Sequence, residues 1–156
     1  MAAVAIIHNV VVEAKFNQAA HLPYQLRLHD FQMAMQDVYD FFYDVNAHLA
    51  KKGLQRLDDM LRPAIMSGVL SDMLTASLAK HSRVLTENKY FNGHPDLIVQ
   101  GVYADNSVKA GTDGIEIKTT RKSGGLLIHT GPGSNGCAFS FTTRTPKQNQ
   151  PVLDVP

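Results

Sequence analysis

Residues 87–120 read ENKYFNGHPDLIVQGVYADNSVKAGTDGIEIKTT, and the end of that stretch decides how the chain is organised. In residues 114–120, GIEIKTT, Ile115 and Ile117 alternate with Glu116 and Lys118. That is the two-residue period of a strand with one buried face and one wet face. Residues 96–102, DLIVQGV, are rich in branched side chains and predict a neighbouring strand. Asp105-Asn106 and residues 110–113 supply turn chemistry between the two. Upstream, Asn92-Gly93 is a strong turn pair that follows a strand predicted over 84–91.

Toward the N-terminus the period changes to that of a helix. Tyr24, Leu28, Phe31, Met35, Val38, Phe42, Val45 and Leu49 step by four and three residues and form one apolar stripe. Pro23 suits the start of this helix, and Gly53 after Lys51 and Lys52 suits its stop. Asp37, Asp40 and Asp44 fall on the opposite side and read as a solvated acidic face. Pro63 separates a short turn from a second helix over 67–80, with Val69, Leu70, Met73, Leu74 and Leu78 inward. Met33, Met35, Met60, Met66 and Met73 read as core filler rather than a binding surface. Helices followed by antiparallel strands predict an α+β domain. It spans residues 1–144, with a helical part over 1–82 and a sheet part, a β-meander, over 83–144. Residues 145–156 hold three prolines and read as a poorly ordered tail.

Composition sets the outer limits. The chain has 156 residues, 44% hydrophobic and 19% charged, the balance of a folded soluble protein. Fifteen Lys and Arg against 14 Asp and Glu give a net charge of +1, which excludes a strongly basic nucleic-acid coat but leaves room for one basic cleft. The single cysteine, Cys137, excludes an intrachain disulfide framework and a multi-cysteine zinc site. It alternates with polar residues like a core position of one more strand and has no evident base nearby, so it does not read as a nucleophile. No apolar run approaches the ~18 residues of a membrane span. The apolar start, residues 1–16, is interrupted by His8, Asn9 and Glu13 and lacks a cation before Lys15, which argues against a secretory signal and for a reducing, cytoplasmic setting. Beyond Lys118 the composition shifts: residues 119–156 hold five of the 11 glycines and carry a net +3.

The chemistry sits in Pro95-Asp96, 19 intervening residues, and Glu116-Ile117-Lys118. Glu116 and Lys118, two apart on a strand, point to one face while Ile117 anchors the other. Asp96 opens the neighbouring strand, close enough in sequence for the carboxylates to converge. Two oxygen ligands beside a wet site suit Mg²⁺, which takes one or two carboxylates and keeps several waters. A lysine beside the ion can orient a water or steady charge on a phosphate. Metal-assisted phosphodiester hydrolysis needs these parts.

The pattern and its strand context over 87–120 resemble the PD-(D/E)XK nuclease superfamily, the restriction-endonuclease-like fold. The resemblance implies that Asp96 is the first metal-binding acid, that Glu116 is the second with the main-chain carbonyl of Ile117 beside it, and that Lys118 is the catalytic lysine. An upstream acid often joins them; Glu87 is the candidate, with Glu13 behind it. It further implies a Mg²⁺-dependent endonuclease, with Mn²⁺ as a substitute, acting on DNA and commonly as a homodimer. The family core continues after the lysine strand with a helix. Here Ser123-Gly124-Gly125 and the GPGSNG of residues 131–136 preclude a stable one, which reads as a C-terminally shortened or altered member. The alternative is therefore a catalytically incomplete relative that binds nucleic acid or a protein partner without cutting.

Other features are weaker. His94, Arg121, Lys122 and Arg144 are candidate nucleic-acid contacts, since phosphates need only well-placed cations. The GPGSNG stretch reads as a flexible turn, because no Gly-Lys-Ser/Thr follows it. The seven histidines show no close metal-ligand spacing. A helical docking protein is a third reading, favoured if the stripe that begins at Tyr24 lies exposed.

Overall fold

The structure, a computed structural model, describes residues 6–119 and the backbone of 126–130 and 137–139. Three helices precede five strands: α1 (Leu28–Lys51), α2 (Leu57–Met60), α3 (Pro63–His81), β1 (Leu85–Glu87), β2 (Leu97–Val99), β3 (Gly114–Thr119), β4 (Leu126–Thr130) and β5 (Cys137–Phe139). The strands form one antiparallel meander in the order β1-β2-β3-β4-β5, as an α+β reading requires. No helix among the described residues is long and apolar enough to cross a membrane.

The long helix starts later than its stripe suggests. Tyr24 and Gln25 have positive φ, and a Leu26 N–H to Pro23 carbonyl bond closes a turn there. Asp30 sets the true start: its carboxylate accepts the Arg27 backbone N–H at 2.9 Å and pairs with the Arg27 guanidinium, satisfying an orphan donor of the first turn. Tyr24 then serves the sheet, its hydroxyl accepting the Gly114 N–H at 2.9 Å. The far end behaves as expected, with Gly53 at φ +68 just beyond the helix.

Phe31, Met35, Val38 and Phe42 of α1 are buried with Met66, Leu70, Leu74 and Leu78 of α3. The stripe is thus consumed inside the molecule, and the condition for a helical docking protein is not met. α3 touches α1 as well as β1 and β3, so it is a middle layer and must be apolar on more than one side. Val69 and Met73 pack partly buried against the same core. Met60 departs from the filler role: it is 46% exposed at the end of the short α2.

The sheet meets α3 through Leu85, Leu97, Ile115 and Ile117. Polar ties fix the contact: Ser71 Oγ donates to the Ile117 carbonyl at 3.2 Å, and Thr119 Oγ1 donates to the Ser67 carbonyl at 2.6 Å. Gly114 is a glycine for a steric reason, since a Cβ there would run into the Leu97 carbonyl and the Pro95 ring. The β2 and β3 strands are shorter or bounded differently than their apolar runs. Val99 ends β2, after which Gly101 at φ +81 turns the chain away.

Asp37 is not part of a solvated acidic face. It accepts hydrogen bonds from Ser77, from Lys80 at 3.0 Å and from His81 at 2.8 Å, and so joins α1 to the end of α3. Burial pushes its carboxyl up, but these three donors outweigh burial and hold it below its ordinary value of 3.8. The native carboxyl is the stronger acid, so its contribution to stability is full above 3.8 and is lost as pH falls through the lower native value. Asp37→Asn should cost about 1 kcal/mol, roughly 2–4 °C in thermal midpoint at pH 7. Melting curves of both proteins should converge as the pH is taken below 3.8; a gap that persists in acid would exclude the charged clamp.

Candidate functional site

The site is assembled by the β2–β3 ladder. Leu97 lies opposite Ile115, and continuing that register by one pair sets Asp96 opposite Glu116. Leu97, Ile115 and Ile117 face the helices, so alternation sends Asp96, Glu116 and Lys118 to the other face. One further pair sets Pro95 opposite Ile117, and a proline has no N–H to offer the ladder. The Pro95 carbonyl takes the Asn88 side-chain amide at 3.0 Å, and the Ile117 N–H goes to Asp96 Oδ2 at 2.7 Å. The Ile117 carbonyl points the same way as its N–H and has a second lone pair beyond the one bonded to Ser71.

His94 completes the cluster. Its backbone is held from both sides, with its N–H on the Lys109 carbonyl at 3.0 Å and its own carbonyl accepting the Gly111 N–H at 2.7 Å. This brings its ring Nδ1 to 3.2 Å from Glu116 Oε2, while Lys118 Nζ pairs with Glu116 Oε1. One ligand atom each from His94, Asp96 and Glu116 lie within 4.8 Å of one another. Asp96 and Glu116 are partly buried and His94 is exposed.

The two carboxyls titrate apart. Burial raises Asp96, and the neighbouring Glu116 charge adds to it, against the Ile117 N–H, Lys118 and His94. Burial also works to raise Glu116, but hydrogen bonds from Lys118 and His94 outweigh it and hold the carboxyl low. Glu116 is therefore the anchored anion, and Asp96 is the carboxylate whose charge lacks full compensation. A divalent cation would supply that compensation, and the donor set of two carboxylates and one imidazole suits one.

The structure brings Asp96, Glu116 and Lys118 together as the spacing suggests, and it adds His94, which the histidine spacing did not single out as a ligand. The cue in the sequence is its place two residues before Asp96; the bonds to Lys109 and Gly111 that aim it come from a distant loop. Glu87 does not join the group. It lies opposite Leu97 in the β1–β2 ladder and so belongs to the helix-facing side of the sheet. Glu13 is engaged elsewhere, 3.3 Å from His29. Arg121, Lys122, Arg144, residues 131–136 and the 145–156 tail lie outside the described residues. Cys137 begins β5, as the alternation suggested.

Because the raised carboxyl of Asp96 costs stability when ionised, Asp96→Asn should stabilise the protein at pH 7 while keeping an acceptor for Ile117. We expect about 0.5–1 kcal/mol, roughly 1–4 °C in thermal midpoint. Metal-free melting at pH 7 tests this, and a destabilised variant would show that the ionised carboxylate is well accommodated.

No family model, curated protein or solved structure matches the chain.

Proposed function

We propose that the protein is a divalent-metal-dependent deoxyribonuclease of the PD-(D/E)XK, restriction-like type, hydrolysing phosphodiester bonds in DNA. The observation that carries this reading is the convergence of Asp96, Glu116 and Lys118 on one face of the β2–β3 ladder, away from the helical layer. Asp96 and Glu116 would hold the ion, with the Ile117 carbonyl within the same edge. The bound ion supplies Lewis acidity, polarising a phosphoryl oxygen and making a water easier to deprotonate. The Ile117 N–H fixes the direction of the Asp96 carboxylate, and Glu116 holds the Lys118 ammonium over the exposed face. There Lys118 orients the attacking water and steadies charge gathering on the phosphate. Water adds to phosphorus and one P–O ester bond breaks, leaving a phosphate monoester and a hydroxyl. A reducing, cytoplasmic setting and a homodimer that cuts both strands belong to the same proposal.

One observation favours a second reading. β4 follows β3 directly as an antiparallel partner, where the restriction-like core continues with a helix. A relative that lacks that helix binds nucleic acid or a protein partner without cutting, because its metal ligands lack part of their supporting shell.

Cleavage of plasmid and labelled single-stranded DNA with Mg²⁺ or Mn²⁺ separates the two. Wild type should cut, and Lys118→Ala and Asp96→Ala should each lower the rate by about 10²–10⁴-fold. A folded wild type that leaves both DNAs intact selects the second reading, and cutting that survives both substitutions places the chemistry elsewhere.

A further inference from the structure

The geometry points to a site built for a first-row transition-metal ion in preference to Mg²⁺, with His94 Nδ1 as its third side-chain ligand. This rests on reading Asp96 and Glu116 as metal ligands and goes beyond it by assigning a nitrogen donor. Mg²⁺ is a hard ion that favours oxygen and retains its waters, whereas imidazole favours the softer divalent ions from iron onward and tolerates manganese. A site of oxygens alone gains little by discriminating among these ions; one nitrogen changes that.

The distances match a shared ion. Donors bonded at about 2.1–2.2 Å and at right angles around one cation stand roughly 3.0 Å apart. His94 Nδ1 and Glu116 Oε2 are 3.2 Å apart, and one ligand atom each from His94, Asp96 and Glu116 lie within 4.8 Å of one another. The imidazole is also placed rather than merely nearby. Its backbone is pinned to Lys109 and Gly111, and Asn88, which donates to the Pro95 carbonyl at 3.0 Å and the Val108 carbonyl at 2.8 Å, ties the same two segments together. Lys118 occupies the other Glu116 oxygen, so an ion can take the Oε2 side without displacing the lysine. In the metal-free contact Nδ1 donates its proton to Glu116; with its side chain 66% exposed, His94 can carry the ring proton on Nε2 instead and turn the freed Nδ1 lone pair onto an ion.

The test is calorimetric titration of the full chain with Mn²⁺ and with Mg²⁺, in the absence of DNA, for wild type, His94→Ala and Glu116→Gln. Wild type should bind Mn²⁺ at least about tenfold more tightly than Mg²⁺. His94→Ala should lose about tenfold or more in Mn²⁺ affinity and less than about threefold in Mg²⁺ affinity, erasing the preference, while Glu116→Gln weakens both. Co²⁺ gives a second readout: wild type loaded with Co²⁺ should show a hyperfine-shifted imidazole ring C–H resonance that His94→Ala loses. Equal losses for the two ions in His94→Ala, an unchanged Mn²⁺ affinity, or a Co²⁺ protein without that resonance overturns the assignment and leaves His94 as a contact to phosphate. Wild type that binds neither ion overturns it as well. Cleavage assays distinguish this from the nuclease reading. Selective, His94-dependent Mn²⁺ binding with no DNA cut in any metal keeps the ligand and removes the nuclease. DNA cutting by a protein whose metal affinities ignore His94 does the reverse.

Discussion

The alternation of β3 is the constraint on which the rest depends. Ile115 and Ile117 are 0% and 2% exposed against the helical layer, each contributing about 1.5–3 kcal/mol of burial. With both locked inward, Glu116 and Lys118 have one face left to occupy. A slip of one residue in the ladder would bury the charged pair and expose the isoleucines, so the core that stabilises the sheet also fixes the side on which its polar residues stand. Gly114 lets β2 come close enough for this register, and Thr119 and Ser71 tie β3 to α3 with hydrogen bonds.

The helical layer is specified by buried polar contacts as much as by its apolar stripe. Asp30 caps α1, and Asp58 is fully buried with Asn46 and Arg56 around it, 2.9 Å from each. Asn46 also accepts the Leu57 N–H, so the short α2 is fastened to α1 by a satisfied network. Removing one member of a buried pair of this kind leaves an uncompensated charge and typically costs about 3–5 kcal/mol. Such contacts leave little freedom for α3, which sits between α1 and the sheet, and hence for the strand that carries the site.

The site departs from this economy. Asp96 and Glu116 stand side by side, and only Glu116 is well compensated, by Lys118 and His94. A fold that elsewhere satisfies its buried carboxylates here keeps one at a cost. Local departures of that kind are expected where binding chemistry, rather than folding, has selected the residues.

Much of this was legible in the sequence. The two-residue period of GIEIKTT gave β3 and its two faces, the branched run after Asp96 gave β2, and the spacing between them placed Asp96, Glu116 and Lys118 in one neighbourhood. Those are consequences of local geometry, because a strand's alternation is set by the chain itself. What the tertiary structure decided depends on partners far along the chain. Tyr24 belongs to the apolar stripe by spacing but leaves the helix, because Asp30 caps at Arg27 and Gly114 needs an acceptor. Asp37 looks like a solvent-facing acid until α3 brings Ser77, Lys80 and His81 to it. Glu87 is close to the motif in sequence and on the wrong face in the ladder. His94 reaches Glu116 because the loop at residues 109–111 grips its backbone. Periodicity says which way a side chain points along its own element; it carries no information on which other element will be there to meet it.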